Sequence, residues 1–236
     1  LAATQGSTLK KLNVIIKEKT LCPRFSAVVL ENIQIKPSPK IIQERLEKSG
    51  IRPLNNVIDV SNYLMRAYGQ PVHVFDYDQI GGEKMILRPS RPDEEIITLD
   101  GKTFKLPGND IVIEDGKGRL IDLCGIMGGE NSAVTDKTRN ILLFVQTYNP
   151  VNIRRTSMKL AQRTEAAQLF EKGTDPELVM PTLIEGVKLL EKLASGRISS
   201  KIYDLYPKPY KPHIVKVGLD FINEHEGEHF INCVVA

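Results

Sequence analysis

The 236-residue chain has no tryptophan, only three cysteines and four histidines, and no apolar run approaching the ~20 residues of a membrane helix. Cys22, Cys124 and Cys233 are odd in number and show no CxxC spacing, so neither a disulfide framework nor a cysteine zinc site is expected, and a reducing cytoplasm fits best. Dense blocks of lysine and arginine are missing too. A net charge of +3 with pI near 8.6 permits a nucleic-acid partner without implying one. GxGxxG, GxxxxGK and GxSxG frames are absent, which excludes the common phosphate-cradling loops and the nucleophile elbow. The opening LAATQGST lacks the basic-then-apolar order of a signal peptide and does not start with methionine, so an internal piece of a longer protein is expected.

What is present suffices for a core. A hydrophobic content of 41% is ordinary for one large domain or two intimately packed small ones. Residues 1–8 read as a linker. Leu12 to Glu18 and Phe25 to Ile35 read as strands, expected to pair, and residues 39–49 as a helix opened by Ser38-Pro39 and closed by Gly50. Short strands follow at 85–88, 95–99, 103–106, 111–114 and 119–124, two of them joined by Asp100-Gly101 as a hairpin. Asn140 to Thr147 is another apolar strand, and helices start at Asn149-Pro150 and Asp175-Pro176. These elements define an α+β class: antiparallel or mixed sheets flanked by helices, in two interleaved submodules forming one compact unit.

The stretch RPLNNVIDVSNYLMRAYGQPVHVFD (52–76) is the most site-like. Asn55, Asn56 and Asn62 favour turns and caps yet sit in an apolar frame. Asp59 or Ser61 can cap a short helix, Gly69 can end it, and Gln70-Pro71 forces an extended exit that presents His73, Phe75 and Asp76. A lone histidine serves either a structural role or, through its titration near neutrality, a functional one. GIMGG (125–129) is either a tight turn or a close backbone approach. Thr164 can cap a helix with Glu165 in its first turn. Arg154, Arg155, Lys159 and Arg163 are either a solvated face or phosphate contacts. HEGEH at 225–229 meets the HExxH pattern, but its central glycine weakens the helix that zinc would need, and no metal is expected.

The asparagine-rich block closely resembles the beta subunit of bacterial phenylalanyl-tRNA synthetase, whose pattern there is RPxNNVVDVTNYVxxxxGQPxHAFD. GIMGGENSAVT (125–135) and RRTSMKLAQRTEAAQLFEKGTDP (154–176) resemble the next two blocks in the same order. The resemblance covers roughly 21–206, with 1–20 as linker and first strand and 207–236 as a linker and the truncated start of the next module. It implies the family's editing module, which hydrolyses tyrosine wrongly attached to tRNA(Phe). The implied partners are that tRNA and the alpha subunit in a heterotetramer of two alpha and two beta chains, with no membrane. No cofactor is implied here; ATP and magnesium belong to the alpha-subunit active site.

The resemblance places His73 and Thr164 in catalytic positions. It makes Gly125, Gly128, Phe144 and Ala166 the lining of the amino-acid pocket and adds Arg52 to the basic residues that meet tRNA. One position departs from the pattern. The family strand reads NVLLExAxF, its glutamate recognising the tyrosine hydroxyl, whereas this chain reads NILLFVQTY with Phe144 in that place. Phe144 is expected to line an apolar hole, and Phe144→Glu to restore selectivity for tyrosine. Gln146 shares the strand face of Phe144 and is a candidate partial replacement. A tRNA-contacting structural module with decayed editing is the alternative that Phe144 leaves open.

Overall fold

A strand that is apolar on both sides is stable only with both faces covered, and ILLFVQT at 141–147 is buried at every residue. In the computed structural model, which describes residues 9–212, 214, 216–218, 220 and 221, this strand separates two cores. HEGEH and Cys233 lie outside the described residues.

The order is β1 (Asn13–Ile16), β2 (Arg24–Glu31), α1 (Lys40–Lys48), α2 (Asn56–Tyr68) and β3 (Val72–Asp76). Then come β4 (Lys84–Pro89), β5 (Glu95–Ile97), β6 (Thr103–Lys105), β7 (Ile111–Asp115), β8 (Leu120–Leu123) and β9 (Met127–Gly128). The chain continues through β10 (Ile141–Thr147), α3 (Pro150–Lys159), α4 (Glu165–Phe170), α5 (Val179–Ala194), β11 (Arg197–Ile198) and β12 (Tyr203–Leu205). One sheet runs β1-β4-β7-β8-β9 and the other β11-β2-β10-β3, with β12 also on β2; β5 and β6 form a separate hairpin.

Alternation along β10 sends Leu142, Phe144 and Tyr148 into the core between the two sheets. Ile141, Leu143 and Val145 enter a second core that includes Val57, Leu64, Leu183 and Val187 of α2 and α5. The α+β expectation holds. β1 and β2 do not pair with each other: β1 lies parallel to β4, and β2 lies antiparallel to β10 in the other sheet. The turn around Cys22-Pro23 is a crossover between sheets, which local pattern does not distinguish from a hairpin.

The first two helices start with a different chemistry from the one the sequence suggested. Asn55 caps α2, accepting from the backbone N–H groups of Val57 and Ile58 at 3.0 Å. Asp59 is buried inside that helix and ties down the preceding chain, accepting from Leu54 N at 2.8 Å and from Ser38 Oγ at 2.6 Å. Ser38 is thereby taken from α1, whose N-terminus has no side-chain cap. Asn56 accepts from Lys36 N and donates to Gln34 O and Leu193 O, so Asn55 and Asn56 act as a backbone clamp. Gly69 ends α2 at φ 65°, and β3 leaves from there along the edge of β10.

Candidate active site

β3 and β10 are antiparallel neighbours with His73 opposite Phe144. The His73 imidazole is half-buried and meets Phe75 edge-on, centroids 4.4 Å apart. On its other side lies Gly128 of β9. A Cβ there would stand 2.5 Å from His73 Cε1 and 2.7 Å from Nε2, so the imidazole rests where a side chain would be. Gly125 has φ 71°, and its Cβ would meet Ile153 Cδ1 at 2.7 Å and Phe170 Cδ2 at 3.2 Å. GIMGG is therefore a tight turn and also a close approach, because the two glycines bring the turn against His73 and against α3 and α4.

Thr164 holds α4 to this turn. Its hydroxyl accepts from Ala167 N at 3.1 Å and donates to Ile126 O at 2.9 Å. Since a hydroxyl has one proton, Thr164 has no donor left for a substrate. Its contribution is to place Ala166, which borders the cleft, and Arg66 on α2 reaches Glu165 at 3.1 Å. Thr164→Val keeps the shape and removes both bonds; a loss of roughly 1–2 kcal/mol is expected from the cap and the tether together. Urea unfolding checks this, and a change too small to resolve would contradict it.

A cleft of about 50 Å³ opens beside His73, bounded by Asp122, Gly125, Met127, Gln146 and Ala166 among others. Phe144 does not line it. Its ring is fully buried between Phe25, at 4.6 Å, and Phe75, at 5.9 Å, which corrects the expectation that it faces the amino-acid pocket. Gln146, two residues along the same strand face, does reach the cleft, as strand alternation implies.

Desolvation sets the charges. It lowers the His73 pKa to about 4, so the ring is neutral at pH 7 and can accept a hydrogen bond. It raises Asp122 to about 7, partly opposed by the Cys124 thiol. Asp122 was not foreseen as a site residue, although an acid in the apolar run LIDLC, directly before GIMGG, is the signal that marks it. The arrangement offers a neutral imidazole, a carboxyl near its titration midpoint and space for a water-sized group. A separate depression of about 480 Å³, bordered by Glu95, Ile97, Arg119 and Glu130, joins none of the candidate residues, and its Arg119 is held by Asp115 at 2.6 Å.

The basic residues do not form one stripe. α3 ends at Lys159, and Arg163 lies beyond Ala161, whose φ is 51°. Arg163 reaches Glu171 at 3.5 Å, and Arg155 donates to Asn109 O. Arg52, Arg154 and Lys159 are exposed and, among the described residues, carry no ion pair. Among the described residues no group of three or more His, Cys, Asp or Glu side chains could hold a metal ion, and no helix is long and apolar enough to cross a membrane.

Residues 21–195 match the B3/4 domain, and the chain belongs to that family. It is similar to phenylalanine–tRNA ligase beta subunits. That of Carboxydothermus hydrogenoformans is 39% identical over 216 residues, covering 92% of this chain and 27% of that protein. That of Staphylococcus haemolyticus is 43% identical over 195 residues, covering 83% and 24%. The chain thus spans about a quarter of the length of these relatives. An N-terminal fragment of the phenylalanyl-tRNA synthetase beta subunit from Pyrococcus horikoshii aligns at 12% identity with TM-score 0.49, over 96% of this chain and 63% of that one, and adds nothing to the assignment.

Proposed function

We propose that the chain is part of a cytoplasmic phenylalanine–tRNA ligase beta subunit, working with the alpha subunit and tRNA(Phe), and that the cleft beside His73 hydrolyses tyrosine misattached to that tRNA. The observation that carries this reading is the seat of a neutral His73 against Gly128, beside a cleft bordered by the small residues Ala166 and Gly125. Water adds to the ester carbonyl carbon, the bond from that carbon to the ribose oxygen breaks, and the proton from water goes to the departing ribose oxygen. Free tyrosine and tRNA result. His73 accepts a hydrogen bond from the water or from the terminal adenosine and so holds the attack geometry. Exposed Arg52, Arg154 and Lys159 are the residues available for phosphates.

A second reading, a tRNA-contacting module without editing, rests on the volume. The cleft's 50 Å³ is far less than the about 150 Å³ of a cavity that takes up benzene, so a whole aromatic ring does not fit inside. The synthetase carrying this chain, given preformed tyrosyl-tRNA(Phe), separates the two. The editing reading expects clearance well above the spontaneous rate and at least a tenfold loss with His73→Ala. Clearance no faster than spontaneous hydrolysis leaves the structural module.

A further inference from the structure

We propose that Gln146 and Asp122, from strands of the two different sheets, form the polar end of the cleft and read a hydroxyl at the tip of the substrate's side chain. This rests on the editing reading and supplies the hydroxyl recognition that Phe144 does not. Gln146 is 3% exposed, lines the cleft, and its Oε1 has no hydrogen-bond partner among the described residues. A buried acceptor without a donor is costly, and the cleft that the Gln146 side chain lines is where a donor can arrive. The second acceptor is Asp122, 4% exposed, on β8 opposite Gly128. The Cys124 thiol, a weak donor, is its side-chain hydrogen-bond neighbour. Two acceptors lacking strong donors, at a space of about 50 Å³, match one small donor group.

The volume says how such a group is presented. The cleft takes one or two water-sized groups, so the hydroxyl end of a side chain enters while the ring stays at the mouth, against Met127 and Ala166. A substrate without that hydroxyl leaves Gln146 Oε1 unpaired and Asp122 with the weak Cys124 donor alone, which is the physical basis for rejecting phenylalanine. Gln70 fixes Gln146 from behind, its Nε2 donating to the Gln146 carbonyl at 2.6 Å.

An aminoacyl ester also carries an ammonium that could satisfy the same acceptors, and the two sources respond differently to substitution. The intact synthetase carrying Gln146→Met, and separately Asp122→Leu, is assayed on preformed tyrosyl- and phenylalanyl-tRNA(Phe). Both changes keep the approximate volume and remove the acceptor. The hydroxyl reading expects the ratio of tyrosyl to phenylalanyl hydrolysis to fall about tenfold in each variant, as loss of one hydrogen bond implies. Equal losses on both esters overturn it in favour of the ammonium, and an unchanged ratio overturns it outright. A wild-type enzyme that clears neither ester overturns the editing reading together with this one, whereas selective clearance that survives both substitutions removes this one alone. Urea unfolding of each variant shows whether a lost ratio accompanies an intact fold.

Discussion

Phe144→Glu is expected to destabilise the fold by about 3–5 kcal/mol or more and to give no gain in selectivity for tyrosine. From sequence, the resemblance reads this substitution as restoring an acid. In the structure the Phe144 ring is fully buried, with Phe25 and Phe75 against it, and it is not part of the cleft lining. Removing the ring forfeits its burial and leaves a void, while the new carboxyl is desolvated between Phe25 and Phe75, with His73 opposite it on β3. Urea unfolding gives the stability, and deacylation of the two esters gives the selectivity. A variant as stable as wild type that clears tyrosyl-tRNA more selectively would return Phe144 to the pocket wall.

The second large effect is a pH-dependent stability difference between wild type and Asp122→Asn. Raising the Asp122 pKa from 3.8 to about 7 means that the folded chain keeps a proton which the unfolded chain gives up. Its contribution is fully present below pH 3.8, declines as pH rises, and is lost once pH passes about 7, a total of about 4 kcal/mol at 1.36 kcal/mol per pH unit. His73 acts with the opposite sign. Its pKa falls from 6.5 to about 4, so its contribution is present above pH 6.5 and lost as pH drops through about 4, a total of about 3 kcal/mol. Between pH 4 and 6.5 the two slopes nearly cancel. Asp122→Asn leaves the histidine slope alone, so stability of the variant should climb over that interval while wild type stays flatter. From pH 3.5 to 8 the variant should gain about 4 kcal/mol relative to wild type, read from urea unfolding curves of equal steepness. A difference that does not vary with pH would show that Asp122 is solvated in the folded chain.

Residues whose chemistry is local were legible in the sequence. The helix 150–159 starts where Asn149-Pro150 indicates, Gly69 takes the left-handed conformation that ends α2, and β5 and β6 form the hairpin that Asp100-Gly101 marks. Long-range choices were not. β1 pairs with β4, about 70 residues away, because sheet membership depends on which faces share a core and not on a nearby turn. The same limit applied to the site. His73, Gly125 and Ala166 border one cleft and Gly128 lies against His73, but sequence does not say that Thr164 has its proton committed to Ile126. Nor does a strand's alternation separate Phe144 from Gln146, since both point to the same side. How far along the strand the core ends and the cleft begins decides between them, and that depends on Phe25, Phe75 and the β8–β9 turn.

The proposed editing role puts His73, seated against Gly128, to work on an aminoacyl ester. Gly128→Ala tests it most directly, because the added methyl would lie within 2.5–2.7 Å of the imidazole and must displace it, while the backbone there needs no positive φ. The measurement is hydrolysis of preformed tyrosyl-tRNA(Phe) by the synthetase carrying wild-type or Gly128→Ala chain, with aminoacylation of tRNA(Phe) by phenylalanine as the control for assembly. A loss of about 100-fold in hydrolysis with aminoacylation retained is the expected result, since a displacement of an ångström at a positioning group costs on that order. Hydrolysis by Gly128→Ala at the wild-type rate would mean that the His73 seat plays no part in the reaction.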